Sequence, residues 1–203
     1  MILVTGATGI LGRVIVLELL KRGNTVRATK RKSSNLQEVR KSFQFYTETP
    51  NEYFDSIEWI EVDFEDIHSL QNALNGVEEV YHCAAKVSFH PKDEKKMYQT
   101  NIEGTKQLLF ACQNSSVKKF LFVSSIAVLD GLNENGELDE SSDFNPKIDH
   151  SAYAISKHFS EMEVWRASAE GLNTVIVNPG IIIGSGNWKE SSGTLFKELG
   201  ENA

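Results

Sequence analysis

The sequence predicts a doubly wound α/β fold, a parallel sheet with helices on both faces. Three observations carry that expectation. Short apolar runs alternate with longer segments of helical period along nearly the whole chain. The first apolar run leads at once into three glycines, Gly6, Gly9 and Gly12, spaced three apart. At 203 residues with 40% hydrophobic and 24% charged content, the chain is long enough to bury a sizeable core without disulfides.

The elements follow in order. MILVT (1–5) reads as a strand. ILGRVIVLELLKRG (10–23) has apolar residues at helical spacing and ends on Gly23, a C-terminal cap. TVRAT (25–29) alternates like a strand, and SNLQEVRKSFQF (34–45) reads as a helix. The polar YTETPNEYFDS (46–56) reads as an irregular surface connection. Next come a strand at 57–63, a helix at 66–76 with Asp66 as its N-cap, and a strand at 77–85. A long helix over about 93–114 precedes the strand KKFLFVSS (118–125). The acidic stretch 131–151 has no core period and reads as a loop. A helix at 152–171 and a strand at 173–180 complete the pattern. Sheets of this kind take ligands at the carboxyl ends of their strands, where strand order reverses.

Composition narrows the function classes. Two cysteines, Cys83 and Cys112, make no disulfide framework, and no CxxC or His/Cys cluster is present, which fits a reducing compartment and no metal site. A net charge of −7 argues against broad nucleic-acid or anionic-membrane binding. No stretch approaches the length of a membrane span, and MILV runs directly into glycines rather than into a signal-peptide core. The expected location is cytoplasmic.

The glycines have a chemical reason to be there. Gly6 can turn the chain sharply as it leaves the first strand, Gly9 can let a phosphate approach the backbone, and Gly12 can let the helix pack close. The helix start at Ile10 and Leu11, with Thr8 before it, then offers unpaired N–H groups and a positive dipole end to a pyrophosphate. The spacing is GxxGxxG, one residue longer at its first step than the GxGxxG of ordinary dehydrogenases. A tight turn that binds nothing is the competing reading.

An NAD site usually places an acid near the end of the second strand, where it accepts from the ribose 2′-hydroxyl. Here VRATKRKSS (26–34) holds Arg27, Lys30, Arg31 and Lys32, with no acid until Glu38. Cations attract a 2′-phosphate that a carboxylate would repel, so the sequence points to NADP in preference to NAD. Arg31 leads, with Lys30, Lys32 and Ser33 in support; Arg27 is the weaker candidate, since strand alternation can point it to the other face. A solvated basic turn is the alternative.

SAYAISK (151–157) sets Tyr153 and Lys157 four apart, on one face of a helix. An ammonium beside the phenol would favour phenolate and lower its pKa from about 10 toward neutrality. A tyrosine so tuned can exchange a proton with a substrate oxygen, and Ser125, at the end of FVSS (122–125), can hydrogen-bond the same oxygen. Tyr-x-x-x-Lys alone occurs on many solvated helices; the glycine turn and the strand-end serines supply its context.

Taken together, TGATGILG (5–12), DFED (63–66), CAA (83–85), NIEGT (101–105), FVSS (122–125), YAISK (153–157) and NPGIIIG (178–184) resemble an extended short-chain dehydrogenase/reductase, in the family's order and from end to end. TVRATKRKSS and YHCAAKVSF most resemble its dihydroflavonol 4-reductase-like branch. The resemblance implies a Rossmann fold with Tyr153 as general acid/base, Lys157 as its activator and ribose ligand, and Ser125 as substrate-oxygen donor. It further implies that Asn101 supports a water-borne proton relay near Lys157, and that Asp63 and Phe64 flank the adenine. Ala84 and Ala85 would let the cofactor pass over the fourth strand, and Pro179 and Ile181 would sit by the nicotinamide. Asp63 as a helix cap and Asn101 as a polar helix residue are the plain alternatives. Cys83, Cys112, His82 and His90 read as structural or surface residues.

The expected organisation is a dinucleotide-binding domain over 1–180 and the start of a substrate-binding region over 181–203, whose remainder is largely missing, so the chain reads as a fragment. The leading activity is an NADP-dependent carbonyl reductase or alcohol dehydrogenase acting on a small-molecule carbonyl or alcohol. An NAD-dependent nucleotide-sugar epimerase or dehydratase is the second reading; KRK (30–32) counts against NAD, and IAVLDG after Ser125 lacks the acidic pair expected of a dehydratase, which leaves the epimerase open. A cofactor-sensing module without turnover is the third. The resemblance also implies a homodimer through the helices near 93–114 and 152–171.

Overall fold

The apolar run of the first strand has two destinations. In the computed structural model of the chain, which describes residues 1–88 and 90–185, β1 (Ile2–Thr5) sends Leu3 into one core and Ile2 and Val4 into another. A strand buried on both faces has no polar side, which is why ILVT reads as a continuous run. Around it lie β2 (Val26–Lys30), β3 (Glu58–Glu61), β4 (Glu79–His82), β5 (Lys119–Val123) and β6 (Asn173–Val177). They pair in parallel in the order β3-β2-β1-β4-β5-β6. Strand order therefore reverses between β1 and β4, and the glycine turn leaves β1 at that crevice.

Helices cover both faces, as expected. Helix α1 (Ile10–Lys21), α2 (Leu36–Phe43) and α3 (Pro50–Asp55) bury Val16, Leu17, Val39, Phe43 and Phe54 against one side. On the other, α4 (Ile67–Ala73), α6 (Gly104–Gln113) and α7 (Ala152–Ala169) bury Leu70, Leu108, Leu109, Val164 and Ala167 beneath Phe120 and Phe122 of β5. Local signals set the ends. Gly23, at φ 79°, follows α1, with its N–H donating to Leu20 O and that of Asn24 to Leu19 O, so the last carbonyls of the helix are met. Asn35, Asp66 and Ser151 cap α2, α4 and α7 by accepting backbone N–H bonds from Glu38, His68 and Ala154, each worth about 1 kcal/mol.

The structure corrects two readings. The segment expected to be irregular, 46–56, contains α3, started by Pro50 at its first turn and anchored by Phe54 between Phe43 and Trp59. Six residues are too few to show a helical period. The long helix expected over 93–114 is divided: a 3-10 turn at Pro91–Asp93 and α5 (Glu94–Tyr98) run into a π turn at Gln99–Glu103 before α6. Asn101 lies at the middle of that π turn and is buried, and such turns gather at functional sites. Residues 131–151 form no helix or strand, as expected. Of the region expected to open a second unit, 181–203, residues 186–203 lie outside the described residues. Among the described residues, no helix is long and apolar enough to cross a membrane.

Candidate functional site at the carboxyl edge of the sheet

The glycine turn is built from contacts that only glycine allows. Gly6 has φ 64°, and a Cβ there would lie 2.6 Å from Ala84 N. A Cβ on Gly12 would collide with the Gly6 carbonyl oxygen and approach Ala7 Cα to 2.9 Å. Gly6 thus lets β1 turn against the chain leaving β4, and Gly12 lets α1 start almost in contact with the turn. Gly9, exposed, is the N-cap residue of α1 at φ −76°, and its N–H donates to Gly6 O at 2.9 Å. No side chain caps α1, in contrast to α2, α4 and α7. The first-turn N–H groups of Ile10, Leu11 and Gly12, beside Thr8, have no carbonyl one turn back to bond.

The basic turn sits next to it, and its cations differ. Arg27 points away: it pairs with Glu58 at 2.8 Å and donates to the Ala73 and Asn75 carbonyls, closing the end of α4. Lys30 stands opposite Glu61 in the β2–β3 register and pairs with it at 3.5 Å. Glu61, which the sequence reading passed over, is thus an acid at this strand edge. Arg31 and Lys32 are exposed, and no ion pair joins them among the described residues. Arg31 N–H donates to Ser34 Oγ and Ser34 N–H to Arg31 O, which fixes the turn.

Across the switch point, the chain brings Ser125 beside Tyr153, where its hydroxyl favours the ionised phenol. Ser125, just beyond β5, opens a 3-10 turn and accepts from Ala127 N–H. Lys157 lies one turn along α7 and is buried. Its ammonium donates to Val123 O at 2.7 Å and stands 4.0 Å over the Phe122 ring. Burial pushes it down to about 7, with Glu161 and the Cys83 thiol working the other way. The expectation for Tyr153 is corrected here. Burial holds its phenol above the ordinary value near 10, and the Ser125 hydroxyl only partly opposes this. Spacing put the two groups on one face, but the ammonium is spent on Val123 O and Phe122 rather than on the phenol.

The remaining predicted residues have definite places. Asn101 is buried; its Oδ1 accepts from Lys86 N–H at 2.7 Å and its Nδ2 donates to Lys86 O and Ser156 Oγ. Its own carbonyl accepts from Ser160 Oγ at 2.8 Å. It therefore meets α7 on both sides of Lys157 in sequence, through Ser156 and Ser160. Asp63 is exposed and accepts from Glu65 N–H, a local turn. Phe64 lies over Gly104, whose Cβ would stand 3.4 Å away, and against the His82 ring at 5.8 Å. Ala84 and Ala85 follow β4, Ala84 N–H donating to Thr5 Oγ1. Pro179 O accepts from Ile126 N–H, and Ile181 is 70% exposed. Beyond Ile181 the chain arches back to α1: a Cβ on Gly184 would meet Ile10 Cγ2 at 2.8 Å, and Ser185 N–H donates to Tyr46 Oη at 3.0 Å. The two ends of the predicted site, the glycine turn and the segment after β6, are thus adjacent.

Two residues beneath the site escaped the sequence reading as more than filler. His82, buried, sits opposite Thr5 in the β1–β4 register. Thr5 Oγ1 accepts from Ala84 N–H, so its proton goes to His82 Nδ1 at 2.6 Å, and Nε2–H then donates to Thr105 Oγ1 at 2.9 Å. Burial, with Lys157 nearby, pushes this imidazole down to about 3. Arg13 is the other, 3% exposed beside the glycine turn. Its signal was legible: it stands three and four residues before Val16 and Leu17, on the buried stripe of α1.

These residues fit a dinucleotide. The exposed Gly9 and the uncapped start of α1 suit a pyrophosphate, and Arg31 and Lys32 lie where the next strand ends. Comparison with known proteins agrees. The NAD dependent epimerase/dehydratase family matches residues 2–202. "Sterol demethylase protein B" of Methylococcus capsulatus is 32% identical over 189 residues, 93% of this chain and 53% of that protein. A "putative dihydroflavonol 4-reductase" of Synechocystis is 32% identical over 184 residues, 89% of this chain and 49% of that protein. The chain spans about half the length of these curated relatives. Among solved structures, the UDP-glucose 4-epimerase of Thermus thermophilus in complex with NAD superposes with a TM-score of 0.75 at 26% identity, covering 97% of this chain and 60% of that one.

Proposed function

The chain belongs to the NAD dependent epimerase/dehydratase family of NAD(P)-linked enzymes, and from that premise we propose that it serves an NADP-dependent oxidoreductase of carbonyl reductase or alcohol dehydrogenase type. The observation that carries this reading is the placement of Tyr153 beside Ser125 at the carboxyl edge of the sheet, with Lys157 buried one turn on. The bound cofactor supplies the hydride. Ser125 O–H donates to the substrate oxygen and orients it. Tyr153 gives that oxygen its proton as a carbonyl becomes an alcohol. A phenol held above its ordinary pKa stays protonated, the form that reduction requires. Lys157, its ammonium held by Val123 O and the Phe122 ring, holds the ribose, and Asn101 supports it by fixing Ser156 and Ser160 on α7.

In this proposal Gly6, Thr8, Gly9, Ile10, Leu11 and Gly12 hold the pyrophosphate, and Arg31, Lys32 and Lys30 hold the 2′-phosphate. Asp63, Phe64, Ala84 and Ala85 line the adenosine side; Pro179 and Ile181 line the nicotinamide side. The substrate is a small carbonyl or alcohol compound. The protein works in the cytoplasm as a homodimer, its copies meeting through α6 and α7, where Phe110, Phe159, Met162 and Trp165 are exposed.

One observation favours the NAD-linked epimerase as a second reading: Glu61 already neutralises Lys30, so the basic turn is less positive than its sequence suggests. A fluorescence titration with NADPH and NADH separates the two. Binding of NADPH at least tenfold tighter, about 1.4 kcal/mol, that is lost in Arg31→Ala supports the reductase. Equal or tighter NADH binding overturns the NADP assignment.

A further inference from the structure

Arg13 is a buried guanidinium with one of its three nitrogens unmet. Its Nε donates to Gly9 O at 3.1 Å, and its Nη2 donates to Thr8 O and pairs with Glu38 at 3.2 Å. Nη1 is fully buried and has no hydrogen-bond partner. An arginine cannot relieve that debt by losing its proton, so an acceptor must come to it.

Its location says which acceptor. Arg13 touches the glycine turn on one side and, through Glu38, the first turn of α2 on the other. Helix α2 begins just past the basic turn that carries Arg31. The guanidinium therefore spans the gap between the pyrophosphate end of the site and the ribose end. Two nearby cations are already committed, Arg27 to Glu58 and Lys30 to Glu61. A buried charge at this point is screened far less by salt than the exposed Arg31. A phosphate matches the planar fork of a guanidinium better than any neutral ligand does.

We propose that Arg13 is a second guanidinium for the cofactor's ribose 2′-phosphate, acting with Arg31, and that Glu38 is its partner while the phosphate is away. The inference rests on the NADP reading above. Glu38 is partly exposed and can swing into water when the phosphate arrives. Nη1 then gains its missing acceptor, while Nε stays on Gly9 O and keeps the turn in place.

The test is titration of the 203-residue chain with NADPH and, separately, NADH, read by cofactor fluorescence. The variants are Arg13→Gln, Arg13→Lys, Glu38→Gln and Arg31→Ala. Arg13→Gln should weaken NADPH about tenfold or more (about 1.4 kcal/mol) and leave NADH within about threefold. Glu38→Gln should tighten NADPH and leave NADH unchanged. Arg13→Lys keeps the charge without the fork, and should fall between wild type and Arg13→Gln for NADPH; it carries the test if Arg13→Gln does not fold. Equal weakening of both cofactors makes Arg13 a brace of the glycine turn and overturns the inference, while a large NADPH loss in Arg31→Ala would leave the NADP reading standing. If wild type shows no preference for NADPH and Arg31→Ala changes nothing, the NADP reading fails and takes this assignment with it.

Discussion

His82 should make the protein acid-sensitive over a range in which most carboxylates are still ionised. The imidazole is buried, neutral and bonded at both nitrogens, with its pKa held near 3 against an ordinary 6.5. The unfolded chain takes up the proton below 6.5 and the native state does not. Stability is therefore fully present above 6.5 and is lost as pH falls toward 3. From pH 7 to pH 5 the one-proton linkage amounts to about 2 kcal/mol. With a urea slope of about 2 kcal/mol/M, that is a midpoint shift of about 1 M. His82→Gln is the control, because an amide can accept from Thr5 and donate to Thr105 without titrating. The variant should cost about 1–3 kcal/mol at pH 7 through imperfect fit but lose about 2 kcal/mol less than wild type between pH 7 and pH 5. Comparing the two chains removes the contribution of His158, also held low by burial. Parallel pH curves for the two proteins would refute the assignment of His82 as a neutral, doubly bonded group.

Four further outcomes are expected. Gly12→Ala puts a methyl on the Gly6 carbonyl, and should cost about 1–3 kcal/mol in urea unfolding while weakening both cofactors together. Tyr153→Phe should lower kcat by about 10²–10⁴ with little change in NADPH affinity; normal turnover would remove Tyr153 from the proton path. Arg27→Ala should leave the NADPH/NADH affinity ratio unaltered, since its guanidinium is bound to Glu58 and the end of α4. Phe159→Lys with Trp165→Glu should convert a dimer to monomer in analytical ultracentrifugation, and a wild-type chain already monomeric at high concentration would sink the α6–α7 interface.

Much of the fold was legible because period and punctuation are local. A doubly buried strand, a glycine triplet and a capped helix each declare themselves within a few residues, so β1, α1 and the glycine turn between them were readable from 1–23. Helix α3 was not, because six residues are too short to show a period and its one anchor, Phe54, gains meaning only against Phe43 and Trp59. The π turn at Asn101 was hidden for a related reason: an inserted residue in a helix leaves composition unchanged.

By itself the sequence determined the layer architecture, the parallel order of alternating elements, the glycine turn and the residue types at the carboxyl edge. These follow from backbone sterics and the periodicity of burial, which act between near neighbours. Tertiary structure alone decided which charges are spent and which remain. It paired Lys30 with Glu61, turned Arg27 to the end of α4, set Lys157 on Val123 O instead of Tyr153, and left Arg13 Nη1 without an acceptor. Ionisation and hydrogen bonding depend on burial and on partners tens of residues away in sequence, and only the packed sheet brings those within 3 or 4 Å.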